Sequence, residues 1–173
     1  MQFSALLTVV AAALSIGVSA APAKRATLPL PTKASVWVQT QSGDTIAYLN
    51  SQGWAWQWAT ESSPGDGPDI AKFDIKLVPG SVQPSGDDAL VKLAMNGHEC
   101  SLVNEFLDCI VTDSPTAVFR AKVQTDVTGA THWSLLGGHP AFSLESYQKE
   151  LKFLALTPDH GAPMNVYLRT DSQ

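Results

Sequence analysis

The decapeptide CSLVNEFLDC, Cys100 to Cys109, constrains this chain more than any other stretch. A two-residue turn at Asn104-Glu105 brings the flanks into register. Val103 then faces Phe106, Leu102 faces Leu107, Ser101 faces Asp108 and Cys100 faces Cys109. Counting outward from the turn, the cysteines fall on a non-hydrogen-bonded pair, where side chains approach most closely. One face carries Cys100, Leu102, Leu107 and Cys109. These are the only two cysteines, so a cross-strand disulfide is expected. Closing so small a loop contributes about 2–3 kcal/mol. Two alternatives stay open. Asn-Glu is not the Asn-Gly that such turns prefer, so a longer loop with another register is one. Two free buried thiols are the other. A metal site needs more ligands than this stretch offers.

The same pattern recurs twice without cysteines. FSLESYQKELKF places Phe142, Leu144, Leu151 and Phe153 on one face, with Ser143, Glu145, Glu150 and Lys152 on the other. Near the start, Ile46 and Tyr48 precede a loop through NSQG, and Trp54 and Trp56 follow it. The expectation is four inward positions per hairpin, so Trp54 and Trp56 of GWAWQWA read as a wall of the core. Each hairpin is flanked alike. SVWVQT, LVKLAM and HWSLLG precede them; KFDIKLV, AVFRAKV and MNVYLRT follow. That makes four strands per unit and three units, an all-β chain. Spacing between equivalent hairpins is about 54 and then about 42 residues, and the insert ESSPGDGPD accounts for much of the excess.

Four strands repeated three times resembles the β-trefoil superfamily, of a secreted fungal type. The resemblance covers nearly all of Ser35 to Thr170 and lies in pattern, not in a specific motif. It implies twelve strands, six closing a short barrel and three hairpins capping one end. A β-sandwich of similar strand count is the alternative. The Gln-x-Trp motif of ricin-type lectins occurs once, as Gln52-Gly53-Trp54, at a hairpin rather than at the end of each unit. Kunitz-type inhibitors of this fold usually have two disulfides, and here at most one forms.

The N-terminus carries a separate message. Residues 1–20, MQFSALLTVVAAALSIGVSA, have a short apolar run and small residues ending at Ala20, the pattern of a secretory signal peptide. The run is shorter than the ~20 residues a membrane helix needs. Residues 21–25 end in Lys24-Arg25, a pair that resembles the processing site of fungal secreted pro-proteins; an uncut basic pair is the alternative. Residues 26–34 read as an extended, Pro-punctuated lead-in, and 35–173 as a single domain. A secreted, extracellular chain of about 148 residues is expected, with no membrane partner once the signal is removed.

Charge narrows the partners. Formal net charge is -5 and no basic cluster occurs, so nucleic acid is not expected as a partner. No Asn is followed by the residues of a glycosylation site. Among the histidines, His98, His132, His139 and His160 show no zinc spacing, and His98 and His139 take matching turn positions. Glu99, Glu105, Asp108 and Glu145 fall at hairpin tips or outward faces, the places of solvated acids rather than of a glycosidase pair. No serine sits in a Gly-x-Ser-x-Gly context. No catalytic residue, metal site or cofactor is assigned.

Binding is the expected role. Sugars stack on exposed rings beside placed polar groups. If Val36 and Val38 face the core, Trp37 and Gln39 face out, and Trp58 lies near the acidic insert. Trp37, Trp58, Asp66 and Asp69 are therefore the candidate ligand-binding residues. The expected function is recognition of carbohydrate or cell-wall material without catalysis. A trefoil-type protease inhibitor, or an effector binding an extracellular host protein, is the alternative.

Overall fold

The computed structural model describes residues 28–57, 70–81, 86–111, 113–126, 129–136, 142–146, 151–157, 159 and 161–170. Every regular element among them is a strand. The first unit contains β1 (Lys33–Thr40), β2 (Thr45–Leu49), β3 (Ala55–Gln57) and β4 (Phe73–Leu77). The second contains β5 (Asp88–Met95), β6 (His98–Glu99), β7 (Ser101–Val103), β8 (Phe106–Asp108) and β9 (Phe119–Thr125). The third contains β10 (Thr131–Leu136), β11 (Ser143–Ser146), β12 (Leu151–Ala155) and β13 (Met164–Arg169).

Six of these strands close a barrel. The order runs β1, β4, β5, β9, β10, β13, and β13 returns to pair with β1 in antiparallel register, Val36 opposite Leu168. A closed ring has no edge left for pairing, unlike two facing sheets. Each unit gives its first and last strand to the barrel, and its middle strands form a hairpin: β2–β3, β7–β8 and β11–β12. The hairpins join one another, β3 to β12 and β12 to β8.

Alternation along the barrel strands selects the core. Val36, Val38, Phe73, Ile75, Val91, Leu93, Phe119, Trp133, Leu135, Val166 and Leu168 are buried together. The Pro-rich lead-in crosses one end of this core. Leu28 and Leu30 pack against it, and the Trp133 indole N–H donates to the carbonyls of Leu28 and Pro29 at 3.2 and 3.1 Å.

The central hairpin has the register expected of CSLVNEFLDC. Ser101 pairs with Asp108, Leu102 with Leu107 and Val103 with Phe106. Asn104 and Glu105 both take positive φ, 50° and 72°, the backbone of a type I′ turn. Asn tolerates that region; Glu is held there by its neighbours, its carbonyl accepting the Leu156 amide at 3.0 Å. Cys100 and Cys109 form the disulfide, with Cα atoms 4.1 Å apart as a non-hydrogen-bonded pair requires. A second type I′ turn, Asn96-Gly97 with φ of 51° and 85°, joins β5 to β6 and leaves His98 exposed.

The other two hairpins differ from expectation. In the first, Ala47, Leu49 and Ala55 face the core, while Tyr48 and Trp56 pair on the opposite face. Trp54 and Trp56 are not core wall; both are only partly buried. A bulge between Val38 and Gln39 lets Val38 pair with Ala47 but Gln39 with Thr45. The extra residue, Ile46, packs against the core beside Ala47, and the alternation shifts beyond it. In the third hairpin, Phe142 and Leu144 pack toward the core as expected, but Leu154 and Leu156 join them. Leu151 and Phe153 take the other face, Phe153 opposite Glu145. Ser143 does lie away from Phe142 and Leu144, yet it is buried and donates to the Thr157 carbonyl at 2.6 Å.

Candidate functional site

The inward residues Ala55, Leu107 and Leu154 are fully buried, one from each hairpin. Each forces its neighbours to the outer face of the cap, because successive strand residues point to opposite sides. Trp54 and Trp56 therefore point outward from β3, Phe106 from β8, and Leu151 and Phe153 from β12. Cross-strand pairing gathers them. Leu151 is opposite Trp56, Ala155 is opposite Phe106, and Val103 lies beyond Phe106 on β7.

Three rings from three units meet on this face. Trp54 stands edge-on to Phe153, with centroids 5.3 Å apart and planes at 85°. Phe153 in turn leans on Phe106 at 5.5 Å and 43°. All three are partly exposed. In the adjoining turns, Gln52 is partly exposed and Asn104 and Glu105 are exposed. Trp56 links the cap to the barrel wall, since it packs on a buried cluster of Trp37, Tyr48 and Tyr167.

That cluster corrects the assignment of Trp37 as an exposed ring. Val36 and Val38 do face the core, and Trp37 does point outward, but it is only 7% exposed. Tyr48 stands against it at 5.7 Å, and the Arg169 guanidinium lies 4.9 Å above the indole. Its N–H donates to Ser35 Oγ at 2.8 Å. The lead-in is spent on Trp133 instead. Trp58, Asp66 and Asp69 lie outside the described residues, as do Ala20, Lys24, Arg25, His139 and His160.

The acids singled out in the sequence have structural duties. Glu99 is ion-paired to Lys92 at 2.9 Å and to Lys76 at 3.8 Å, and the hydrogen bond from Lys92 holds its carboxyl below the ordinary range. Asp108 Oδ1 accepts the amides of Ile110 and Val111 at 2.7 and 2.9 Å, fixing the turn after the disulfide. Glu105 belongs to the hairpin turn and Glu145 faces Phe153. On the barrel wall, Asp88 accepts hydrogen bonds from Arg120 at 2.9 Å, which lower its pKa against the opposing effect of burial. Among the described residues no group of three or more His, Cys, Asp or Glu gathers as metal ligands would. No helix among them is long and apolar enough to cross a membrane.

The outward cap face was missed in the sequence because alternation gives two faces and does not say which is inside. The signal that could have found it is Ala55, the one small residue between two tryptophans, where β3 meets a crowded core.

Compared with known proteins, the chain matches no family model, no curated sequence and no solved structure.

Proposed function

We propose that this protein is a secreted, non-enzymatic carbohydrate-binding protein of β-trefoil architecture, which holds a glycan chain on the outer face of its hairpin cap. The trefoil assignment draws on the threefold division of labour, with the outer strands of each unit in the barrel and the middle ones in a hairpin. The disulfide is compatible with an oxidising extracellular setting.

One observation carries the functional reading: Trp54, Phe106 and Phe153, from three separate hairpins, converge on one partly exposed face, with Gln52 and Asn104 in the turns of the first two hairpins. Rings offer a sugar's C–H faces an apolar seat, and amides both donate to and accept from its hydroxyls. Because the rings are tilted against one another rather than coplanar, the face is contoured. It suits a single glycan chain better than the flat side of a crystalline polymer.

The test is binding to a glycan array and to suspended chitin, cellulose and β-glucan, with Trp54→Ala as control. Retention on at least one of them, weakened in the variant, is expected. Failure of the folded protein to bind any glycan overturns the proposal.

A second reading, protease inhibition, has one observation in its favour. Ile110 and Val111 are 55% and 40% exposed on a loop anchored by the Cys100–Cys109 bridge and by Asp108. A rigid, exposed apolar loop is what a protease cleft would accept. A panel of serine, cysteine and aspartic proteases tests it, and no inhibition across the three classes removes it.

A further inference from the structure

One outer wall of the barrel, formed by β4, β5 and β9, gathers charge that the sequence keeps apart. Lys76 pairs directly with Lys92 across β4 and β5. Leu90 pairs with Arg120, and Asp88 with Lys122, across β5 and β9. All of these point away from the core, because their neighbours Ile75, Val91, Phe119 and Ala121 point into it. Val118 points outward as well, and the Val91–Phe119 pair sets it alongside Lys92. In a chain of net charge -5, four of the 11 Lys and Arg residues stand together here. No run of the sequence shows this, since they come from positions 76, 92, 120 and 122.

The charges on this wall do not cancel. Glu99 is shared between Lys92 and Lys76, at 2.9 and 3.8 Å. Asp88 accepts the Arg120 Nε–H at 2.9 Å and faces Lys122 across the strands. Each carboxylate thus serves two cations and leaves one positive charge over. Asp74, further along β4, is matched by Lys33 at 3.7 Å. Lys72 and Asp87, one residue before β4 and β5, balance each other in charge. Like charges directly opposite one another destabilise a sheet, so the Lys76–Lys92 pair favours a further carboxylate at this wall.

Among the charges the wall is apolar. Leu90 and Val118 are 40% and 42% exposed. Leu90 has Lys92 two positions along its own strand and Arg120 across from it. Apolar side chains ringed by charge are the anatomy of a protein contact face. A nucleic acid or another polyanion calls for concentrated, uncompensated cations, and here Asp88 and Glu99 offset half of the positive charge. An anionic membrane repels a chain of net charge -5. We propose that this wall docks an acidic protein segment. Its carboxylates would meet Lys76, Lys92, Arg120 and Lys122, and its apolar side chains would cover Leu90 and Val118. Such complementarity fixes orientation and speeds encounter. The surface is separate from the cap rings and does not rest on the glycan reading.

The experiment is a titration of ¹⁵N-labelled protein, followed by amide chemical shifts. The probe is an octapeptide of alternating glutamate and leucine. Its controls are the same peptide with lysine for glutamate, the same with serine for leucine, polygalacturonate, and phosphatidylserine vesicles. Saturable shifts at Leu90, Lys92, Val118 and Arg120 are expected with the glutamate–leucine peptide. Binding should weaken as salt rises from about 50 to about 300 mM, since exposed charges are screened. Lys76→Glu and Lys122→Glu, both at exposed positions, should each weaken it about fivefold. Leu90→Ser should weaken it without changing the charge, and Trp54→Ala should leave it unchanged. The absence of saturable shifts at this wall with the glutamate–leucine peptide overturns the proposal. So does equal binding of the lysine–leucine or the glutamate–serine peptide. Tighter binding of polygalacturonate or of the vesicles overturns it too, because the wall would then be a polyanion or membrane surface. Loss of polysaccharide binding at the cap leaves this result standing, so the two surfaces fail separately.

Discussion

Trp54 and Phe153 lie 99 positions apart in the chain and meet edge to face at 5.3 Å on the outer surface of the cap. Neither belongs to the core. Their contact joins the first hairpin to the third and, through Phe106, to the second. It makes these rings the most sensitive probe of the proposed glycan face. An aromatic contact of about 0.5–1.5 kcal/mol corresponds to a factor of about 2–10 in affinity. Trp54→Ala and Phe153→Ala are each expected to weaken glycan binding by about that factor, measured by depletion from solution over a polysaccharide series. Trp37→Ala should instead lower stability, because it empties a buried position.

Gly53 touches the disulfide. Its φ is +85°, and an added Cβ would meet Cys109 Sγ at 2.8 Å. Gly97 has the same φ, +85°, with nothing within 4 Å of an added Cβ. Alanine at either site forces a left-handed backbone, at about 1–2 kcal/mol. Only Gly53→Ala also crowds the bridge, which adds about 1–3 kcal/mol. Urea midpoints of the two variants should differ accordingly, with Gly53→Ala the less stable. Equal midpoints would show that the bridge yields freely.

The Cys100–Cys109 bridge closes a ten-residue hairpin. Cys100→Ser with Cys109→Ser is expected to cost about 2–3 kcal/mol of unfolding free energy. Intact-mass measurement without reductant should place the wild-type chain about two mass units below its reduced form, one for each thiol hydrogen lost.

Acidification should destabilise the fold in two stages. Burial lowers the His132 pKa from its ordinary 6.5, so as pH falls the unfolded chain takes up that proton first. Stability from this group is complete above 6.5 and declines as pH falls toward the folded value. Asp88 and Glu99 are lowered from 3.8 and 4.5, by hydrogen bonds from Arg120 and Lys92 respectively. Their contribution is present above those values and is lost as pH falls below them. Denaturant midpoints measured from pH 8 to pH 3 should therefore fall twice. His132→Gln should remove the upper stage and leave the lower one.

Local chemistry was legible in the sequence. Turn position, register and pairing in CSLVNEFLDC all follow from ten residues, because a two-residue turn and a cross-strand pair are short-range constraints. The outer strands of each unit were legible as well, since Val36, Val38, Leu93, Leu135, Val166 and Leu168 alternate with residues that face away from the core. The direction of Trp37 was legible, but its cover was not. Tyr48 and Tyr167 reach it from strands β2 and β13, the latter 130 positions on.

By itself, then, the sequence determined an all-β chain, its three hairpins and the bridge, because alternation and turn chemistry act over a few residues. Tertiary structure alone decided which face of the first and third hairpins is inside. A strand with apolar residues on both faces carries no local preference between them, and one bulged residue at Ile46 exchanges the two. The same long-range pairing closed β13 onto β1, buried Trp37 and turned Trp54, Phe106 and Phe153 outward together. The face on which the proposed function rests therefore exists only once all three hairpins have packed.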